Sequence, residues 1–426
     1  MTVYLQRNFL LTYCAQFFSW FGSKLLMISY VAFIFQETAN ASLAALVFAV
    51  DWLTNLFVGL IVTQWIDRKN AKHLIIWLNI AAACVTLAFL GFTSPEWYAA
   101  AIVIIMIRGL LNSSVNAARV KALIQLFTKE QTDLYAPVFG SSQPVATALA
   151  GAVGIFILKY TSFAAVIVLD AATFLLAAVL VSFVRPNEDR VRESIAAGQA
   201  APGKIAGVRR AFSIIGGNER IASAVFYIIV SVTAFQATYE TLITVIPELW
   251  YDQGPSGTAL FFLVDSIASA CGLFVYQYFN RRGYFTDTNH RAVSLGIVGA
   301  GALLYLGMYL GRGQLVLCCA LFALMVMLGS ALWAHAFKMM VAQTPESKIA
   351  SVVGAQTAMG YSLMGVFALV FSAGLDHLGP GWTIVLNVVV TVLMVAAWEL
   401  VARSLAARPA RHEAAADTAP LEAPVR

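Results

Sequence analysis

Apolar runs of membrane-spanning length alternate with brief polar breaks along most of the chain. A bilayer core about 30 Å thick is crossed by roughly 20 apolar residues in α-helical form. Twelve runs reach this length. The predicted spans are 9–35, 42–65, 73–92, 97–117, 135–159, 163–184, 221–246, 258–279, 292–311, 314–337, 349–374 and 381–402. The pattern therefore predicts an all-α membrane protein with twelve transmembrane helices.

The 27 lysine and arginine residues lie almost entirely on one side of these spans. When the loops are assigned alternately to two sides, 23 basic residues fall on one side and only Lys159 and Arg312 on the other. The remaining two, Lys24 and Arg108, lie inside spans. Cytoplasmic loops carry the excess of basic residues. This distribution predicts that both termini are cytoplasmic.

The longest polar segment, 185–220, divides the spans into two groups of six. We expect an N-terminal six-helix bundle at 1–184, a cytoplasmic loop at 185–220 and a C-terminal six-helix bundle at 221–403. The segment 404–426 is rich in alanine, proline and charged residues. That composition is typical of disordered chain, so we expect a disordered cytoplasmic tail.

The two groups of spans carry an internal repeat. Gly59–Lys69, at the end of the second span, is identical to Gly272–Arg282, at the end of the eighth, at five of eleven positions. Thr128–Glu130 precedes the fifth span as Thr344–Glu346 precedes the eleventh. These echoes occur in the same order and predict two six-helix pseudo-repeats. Repeats of this kind enclose a substrate site at their interface near the middle of the membrane.

Composition narrows the class of protein further. Apolar residues make up 60% of the chain and charged residues 12%, about half the charged share of roughly 25% in soluble domains. The mean hydropathy is +0.78. These values exclude a soluble enzyme, a disordered chain and a nucleic-acid-binding domain. The net charge of +5 is explained by the basic loops, so we expect a lipid bilayer and no nucleic acid as partner.

Motifs for enzymatic or metal chemistry are missing from the sequence. The five cysteines form no CxxC pair, and the chain contains no phosphate-binding GK[ST] loop, HExxH or GxSxG. We therefore expect no enzyme activity, no cofactor and no metal site. Without a nucleotide-binding loop, the energy source is predicted to be an ion gradient or the gradient of the substrate itself.

Several motifs resemble a known family. Asp67–Lys72 resembles the loop signature between helices 2 and 3 of the major facilitator superfamily, although Thr63 stands where that signature has glycine. Leu169–Leu176 and Gln343–Glu346 resemble its siderophore- and drug-exporting branch, which includes enterobactin exporters and macrolide efflux pumps. The resemblance covers about residues 5–403.

The resemblance implies a transporter of the bacterial inner membrane that works by alternating access. It also implies that helices 1, 4, 7 and 10 line the transport path. The loop residues Asp67, Arg68 and Lys69 are expected to act as a gate by pairing with neighbouring helix ends. The antiporter signature of helix 5 is reduced here to Ala150–Gly154, without its proline, which weakens the case for proton antiport.

Charged side chains inside the first six spans are the first candidate site residues, since each costs roughly 2.5–3.5 kcal/mol at a helix centre on insertion scales. Lys24 shares a helix face with Trp20. Arg108 shares another with Asn112. Two roles for Arg108 stay open: contact with the substrate, or an ion pair with Asp51 in the second span.

In the second half, Glu240 shares a face of the seventh span with Gln236, and Asp265 lies in the eighth. We expect Asp265 and Asp51 to flank the path as coupling or ion-pair residues. The resemblance also places His335 toward the path, although a simple interfacial position is the preferred interpretation. Asp170 in the sixth span is interpreted as structural.

Two cations in the first half facing an acid in the second favour an anionic substrate. The sequence therefore predicts an inner-membrane exporter of a small molecule, with a siderophore as first choice and proton coupling through a buried acid. The alternative is a multidrug or macrolide efflux pump. An importer and a non-transporting receptor or assembly protein remain as further alternatives.

Overall fold

The computed structural model describes residues 6–58, 62–66, 68–200, 212–286, 288–344 and 349–406, and within these ranges the chain is helical with no strand. The long helices of the first half are α1 Arg7–Thr38, α2 Ala41–Phe57, α3 Ala71–Ala88, α4 Tyr98–Leu126, α5 Lys129–Tyr160 and α6 Phe163–Ser182. Those of the second half are α7 Glu219–Tyr251, α8 Gly254–Arg281, α9 His290–Leu310 and α10 Leu315–Gln343. A last helical stretch, Ile349–Ala406, contains α11 (349–378) and α12 (380–406).

The twelve-helix, two-repeat fold is confirmed. In the described part of the chain, nine helices are long and apolar enough to cross a membrane. One of these, Val352–Arg403, is two spans, because Gly379 has a φ of 78° and is followed by Pro380. The shorter apolar helices α2 and Ser142–Ile157, within α5, complete the set.

Two helices extend well beyond their predicted apolar spans. α4 continues to Leu126, nine residues past the predicted end, through the polar positions Arg119 and Lys121. α5 begins at Lys129 because of a capping box. The Thr128 side chain accepts a hydrogen bond from the backbone N–H of Gln131, and the Gln131 side chain accepts one from the backbone N–H of Thr128. Hydropathy predicts only the apolar part of a helix, which lipid or protein covers. The helix itself continues into polar sequence as long as its backbone hydrogen bonds continue.

The bundle has two ends, named here after residues in α1 and after it. The Arg7 end contains the starts of α1, α5 and α7, and the Asn40 end contains the α1–α2 and α11–α12 connections. At the Asn40 end the two halves are tied together. Asp376 of α11 accepts hydrogen bonds from the backbone N–H groups of Ala41 at 2.6 Å and Ser42 at 2.9 Å, in the first turn of α2.

Close packing of α5 against α8 forms a second contact between the halves. A Cβ on Gly151 would lie 2.7 Å from the backbone nitrogen of Leu263 and 2.9 Å from the carbonyl oxygen of Ala259. Only glycine permits this approach of two helix backbones. Phe48 of α2 and Phe262 of α8 also face each other across the interface, with ring centroids 6.5 Å apart.

The predicted loop 185–220 contains a further helix, Glu188–Ala200. Its Arg190 donates to the carbonyl oxygen of Phe127, at the end of α4, and Ser194 accepts a hydrogen bond from Gln125 at 3.3 Å. The rest of the loop up to 211 lies outside the described residues. The tail predicted at 404–426 also lies outside them from 407 onward.

Candidate functional site

A cavity of about 280 Å³ lies between the two halves near the middle of the bundle. Its wall comes from α1, α5, α7, α8 and α10. The charged lining residues are Lys24, Glu240 and Asp265. The main polar ones are Gln143, Thr147, Ser231, Gln236, Ser266, Ser269 and Ser330, and the aromatic ones are Phe235, Tyr239, Phe262 and Trp333. A mixed lining of this kind binds a small molecule through a few polar groups and orients its apolar part on rings.

Lys24 is the only cationic residue of the described lining, and it comes from the first half. It is the eighteenth of the 32 residues of α1 and so lies near mid-depth. Its ammonium group lies 3.9 Å from the sulfur of Met27 and 6.0 Å from the ring centroid of Trp20. No carboxylate of the described chain lies within 4.0 Å of it. The charge of Lys24 therefore acts across the cavity, where it interacts electrostatically with Glu240 and Asp265.

Glu240 and Gln236 form one polar unit on α7. They are four residues apart, so both project from the same face. The Gln236 amide donates to Oε1 of Glu240 at 2.9 Å. Gln236 thereby orients the carboxylate while leaving its other oxygen available to the cavity.

A wider helical turn precedes Glu240. Ser231–Ala237 is π-helical, an irregularity that is frequent at functional sites. Two side chains from neighbouring helices bind carbonyl groups in this stretch. The Tyr305 hydroxyl donates to the carbonyl of Phe235 at 2.9 Å, and the Asn387 amide donates to that of Ala234 at 2.9 Å. Asn387 also donates to the Thr238 hydroxyl at 2.6 Å.

The ring of Phe235 is held between two glycines. A Cβ on Gly329 would lie 3.2 Å from the Phe235 side chain, and a Cβ on Gly301 would overlap the ring itself. Phe235 is 2% exposed. The small residues of α9 and α10 therefore determine where this wall of the cavity lies.

Asp265 faces the cavity from α8, within reach of a hydrogen bond from Tyr239. Its Oδ1 is shielded from solvent and has no hydrogen-bond partner in the described structure. Asp51 does not belong to the described lining, but its charge acts on Glu240 and on Tyr361. The described lining therefore holds two carboxylates and one ammonium group, with a third carboxylate, Asp51, near Glu240.

Arg108 pairs with Asp170 rather than with Asp51. Its Nη2 and Nε atoms donate to Oδ2 of Asp170 at 2.6 Å and 3.1 Å, and the aspartate is fully buried. The ring of Phe174, one turn further along α6, lies 5.5 Å from the guanidinium carbon. Of the two roles left open for Arg108, the pair with Asp51 is wrong, because the Asp170 carboxylate of α6 meets the guanidinium group instead. The structural interpretation of Asp170 agrees with this pair.

Other expected members of the site lie apart from the cavity. Its described lining does not include Arg108 or Asn112, which are both buried. It does not include Trp20 either, whose ring lies beside the Lys24 ammonium group. His335 is 1% exposed and is not part of the described lining, and its expected interfacial position stays a prediction. Its Nε2 lies 2.9 Å from Nδ1 of His290, a partner that its position at the start of α9 did not reveal.

The expected gate is held by α4. Asp67 lies outside the described residues, while Arg68 and Lys69 are exposed. The Lys121 ammonium donates to the carbonyls of Ile66 at 3.0 Å and Lys69 at 2.7 Å. Gln125 accepts from the backbone N–H of Ala71, at the start of α3, at 3.0 Å. Two polar residues beyond the apolar part of α4 therefore position this loop.

Comparison with protein families identifies the chain. Residues 12–311 match the Major Facilitator Superfamily. The chain belongs to this superfamily. It is accordingly a multi-pass membrane transporter. A comparison with curated protein sequences finds no match.

Solved structures of superfamily type share the fold at low sequence identity. The nucleoside transporter NupG has a TM-score of 0.69 at 10% identity, covering 95% of this chain and 100% of NupG. A bacterial homologue of the lysosomal transporter Spinster, inward-facing and unoccupied, has 0.68 at 13%, covering 94% and 98%. An inward-facing bacterial homologue of the iron transporter ferroportin has 0.64 at 13%, covering 92% and 99%.

The superfamily resemblance led us to expect a path lined by helices 1, 4, 7 and 10. The described cavity is lined by α1, α7 and α10 as expected, but α5 and α8 contribute to it and α4 does not. The polar residues Gln143 and Thr147 of α5 were missed. Their signal is a cluster of polar residues around Pro144, which also includes Ser141 and Ser142, in the fifth span.

Proposed function

We propose that this protein exports a small molecule across the bacterial inner membrane by alternating access, in exchange for protons. The observation that carries the proposal is a charged cavity between two halves that are tied together at the Asn40 end. The lining reaches Leu273 and Trp333, on the Arg7 side, which are 38% and 39% exposed. With both termini assigned to the cytoplasm by the basic loops, this arrangement is the one in which a cytoplasmic cargo would load.

The cargo proposed from the sequence is a siderophore, and Lys24 supports it as a cation in the cavity. Arg108, the second cation expected to attract an anionic siderophore, gives less support to this cargo because it is neutralised by Asp170. The acids Glu240 and Asp265 and the aromatic lining support a second candidate, multidrug efflux.

Metabolite analysis separates these cargoes. Mass spectrometry is applied to medium and cytoplasm of iron-starved cells with and without the gene. For siderophore export, we expect one iron-chelating metabolite to disappear from the medium and accumulate inside. An unchanged chelator profile together with increased sensitivity to toxic compounds would favour drug efflux. Loss of uptake from the medium would indicate an importer, and a membrane receptor would change neither pool.

Proton coupling is proposed to run through the acids near the cavity. Because the sequence contains no nucleotide-binding loop, an ion gradient is the proposed energy source. Asp51, Glu240 and Asp265 are each replaced by the amide, and transport into inside-out vesicles is measured with and without an imposed pH gradient. Loss of the response to the gradient in one variant identifies the coupling residue. Full responses in all three contradict coupling at this site, and the exposed Glu188→Gln serves as control.

A further inference from the structure

The charges of the cavity are divided between the two halves and are not joined to each other. Lys24 projects from the first half, whereas Glu240 and Asp265 project from the second. In the described structure Lys24 has no carboxylate within 4.0 Å, and the two acids form no ion pair. Opposite charges at this depth are expensive to keep apart, because low dielectric strengthens both their attraction and their need for partners.

A cargo with charges of only one sign would be repelled by part of this lining. A purely anionic molecule is attracted by one ammonium group and repelled by two carboxylates. A purely cationic molecule is attracted by the two carboxylates and repelled by Lys24. From this separation of charges we propose that the cavity recognises a small zwitterion, a molecule that carries an ammonium and an anionic group together. This inference rests on the proposed transport function and specifies its substrate class.

Each end of such a molecule has partners on the appropriate half. The anionic group would contact Lys24, and the polar residues Gln143 and Thr147 of α5 line the same half of the cavity. The ammonium group would contact the free oxygen of Glu240, whose other oxygen is held by Gln236. One carboxylate, that of Asp265, then remains for the coupling proton.

The size of the cavity agrees with a small cargo. Its volume of about 280 Å³ lies just below the roughly 300–1,000 Å³ of pockets that enclose drug-sized ligands. Rings of Phe235, Phe262 and Trp333 form part of the wall, so a zwitterion with an aromatic or apolar side group fits its chemistry. The bound molecule would bridge the two halves, and its binding would therefore depend on both.

Four probes with one skeleton test the charge requirement. The full-length protein in lipid nanodiscs is titrated with phenylalanine (zwitterion), phenylalaninamide (cation), N-acetylphenylalanine (anion) and N-acetylphenylalaninamide (neutral). We expect phenylalanine to bind with a Kd about tenfold or more below each of the others. Tightest binding by the anion or the cation, equal binding by all four, or binding by none overturns the proposal.

Two variants assign the ends of the zwitterion. In Lys24→Gln, phenylalanine should bind roughly thirtyfold more weakly and no better than phenylalaninamide. In Glu240→Gln it should bind no better than N-acetylphenylalanine. Lys338→Gln and Glu188→Gln, outside the cavity, are the controls and should retain the wild-type order. If Glu240→Gln fails to fold, Gln236→Ala replaces it, because it removes the hydrogen bond that orients the Glu240 carboxylate and should weaken the same preference. A preference that survives both cavity variants overturns the assignment.

The outcomes stay separable from those of the transport assay. A protein that exports a purely anionic metabolite keeps the proposed function and overturns the zwitterion. A protein that binds the zwitterion in this order but moves no metabolite keeps the binding site and overturns export.

Discussion

The carboxylate of Asp376 caps the helix that begins at Ala41, across the interface between the two halves. It accepts the backbone N–H groups of Ala41 and Ser42, which have no acceptor within their own helix. The anion also lies at the positive end of the helix dipole. Because the partners belong to different halves, this bond exists only while the Asn40 end is closed.

Removing the cap should shift the protein toward opening at the Asn40 end. An N-cap interaction contributes about 1 kcal/mol, so Asp376→Ala should change the ratio of closed to open molecules roughly fivefold. Spin labels at residues 38 and 253, in a cysteine-free background, measure the separation of the halves. The exposed Glu96→Gln, at the same end, is the control. An unchanged distance distribution in Asp376→Ala would contradict a gating role for the cap.

The Arg108–Asp170 pair should behave as a structural unit. Breaking a buried pair on one side leaves an uncompensated charge and costs about 3–5 kcal/mol. We expect Asp170→Asn or Arg108→Gln alone to lower the melting temperature sharply, and the double variant to recover much of it.

The Arg291–Glu399 pair supplies the comparison for that experiment. Its side chains are 42% and 24% exposed, so Arg291→Gln should cost only about 1 kcal/mol or less. Equal losses at both pairs, or no recovery in the double variant, would refute the structural assignment. Stable single variants that fail only in transport would instead return Arg108 to the substrate path.

The fit of Phe235 between two glycines predicts a steric effect. Gly301→Ala should destabilise the protein by about 1–3 kcal/mol, the usual cost of overpacking, because the added methyl group overlaps the ring. Gly299→Ala, on the same helix with open space around its Cβ position, should be nearly neutral. Phe235→Ala by itself should cost about 3–5 kcal/mol because it leaves a cavity, but in that background Gly301→Ala should cost little more, since the ring it would overlap is gone. Thermal unfolding in detergent measures all four proteins, and a Gly301→Ala protein as stable as Gly299→Ala would exclude the clash.

Lys121 should hold the loop that precedes α3. Lys121→Met removes charged hydrogen bonds to the carbonyls of Ile66 and Lys69, each contributing about 1.5–3 kcal/mol. Hydrogen–deuterium exchange of peptides covering 66–72 should therefore become faster. Lys338→Met is the matched control, because Lys338 is exposed and its ammonium donates to a side chain, that of the half-buried Asn280, at 2.9 Å. Unchanged exchange in this loop would show that other contacts fix it.

Sequence reasoning predicted the fold well because hydropathy and basic-residue asymmetry are signals summed over many positions. The division into two sets of six helices needed no single residue to be correct. Lys24, Gln236, Glu240 and Asp265 were chosen as polar groups in apolar spans, and all four line one cavity. Their role in transport stays a prediction.

Pairing was harder to predict than position. Asp51 and Asp170 are both acids inside spans, and only the folded structure shows that Asp170 is the one that meets Arg108. The contact of His335 with His290 could not be predicted either, because His290 begins a different helix 45 residues earlier. Asp376 lies in the α11–α12 region, and its target is a set of backbone N–H groups that no side-chain pattern marks. Contacts between distant helices depend on helix rotation, which hydropathy determines only coarsely.

The π-helical turn in α7 determines the direction in which the cavity acid points. Converting Ser231–Ala237 to regular α-helix would shift the register, and each residue of shift turns the following helix by about 100°. Glu240, directly after this turn, would then face a neighbouring helix rather than Lys24. Tyr305 and Asn387 prevent that rotation by binding the carbonyls of Phe235 and Ala234. Tyr305 and Asn387, which do not line the described cavity, thus fix the orientation of the carboxylate that is proposed to bind the cargo.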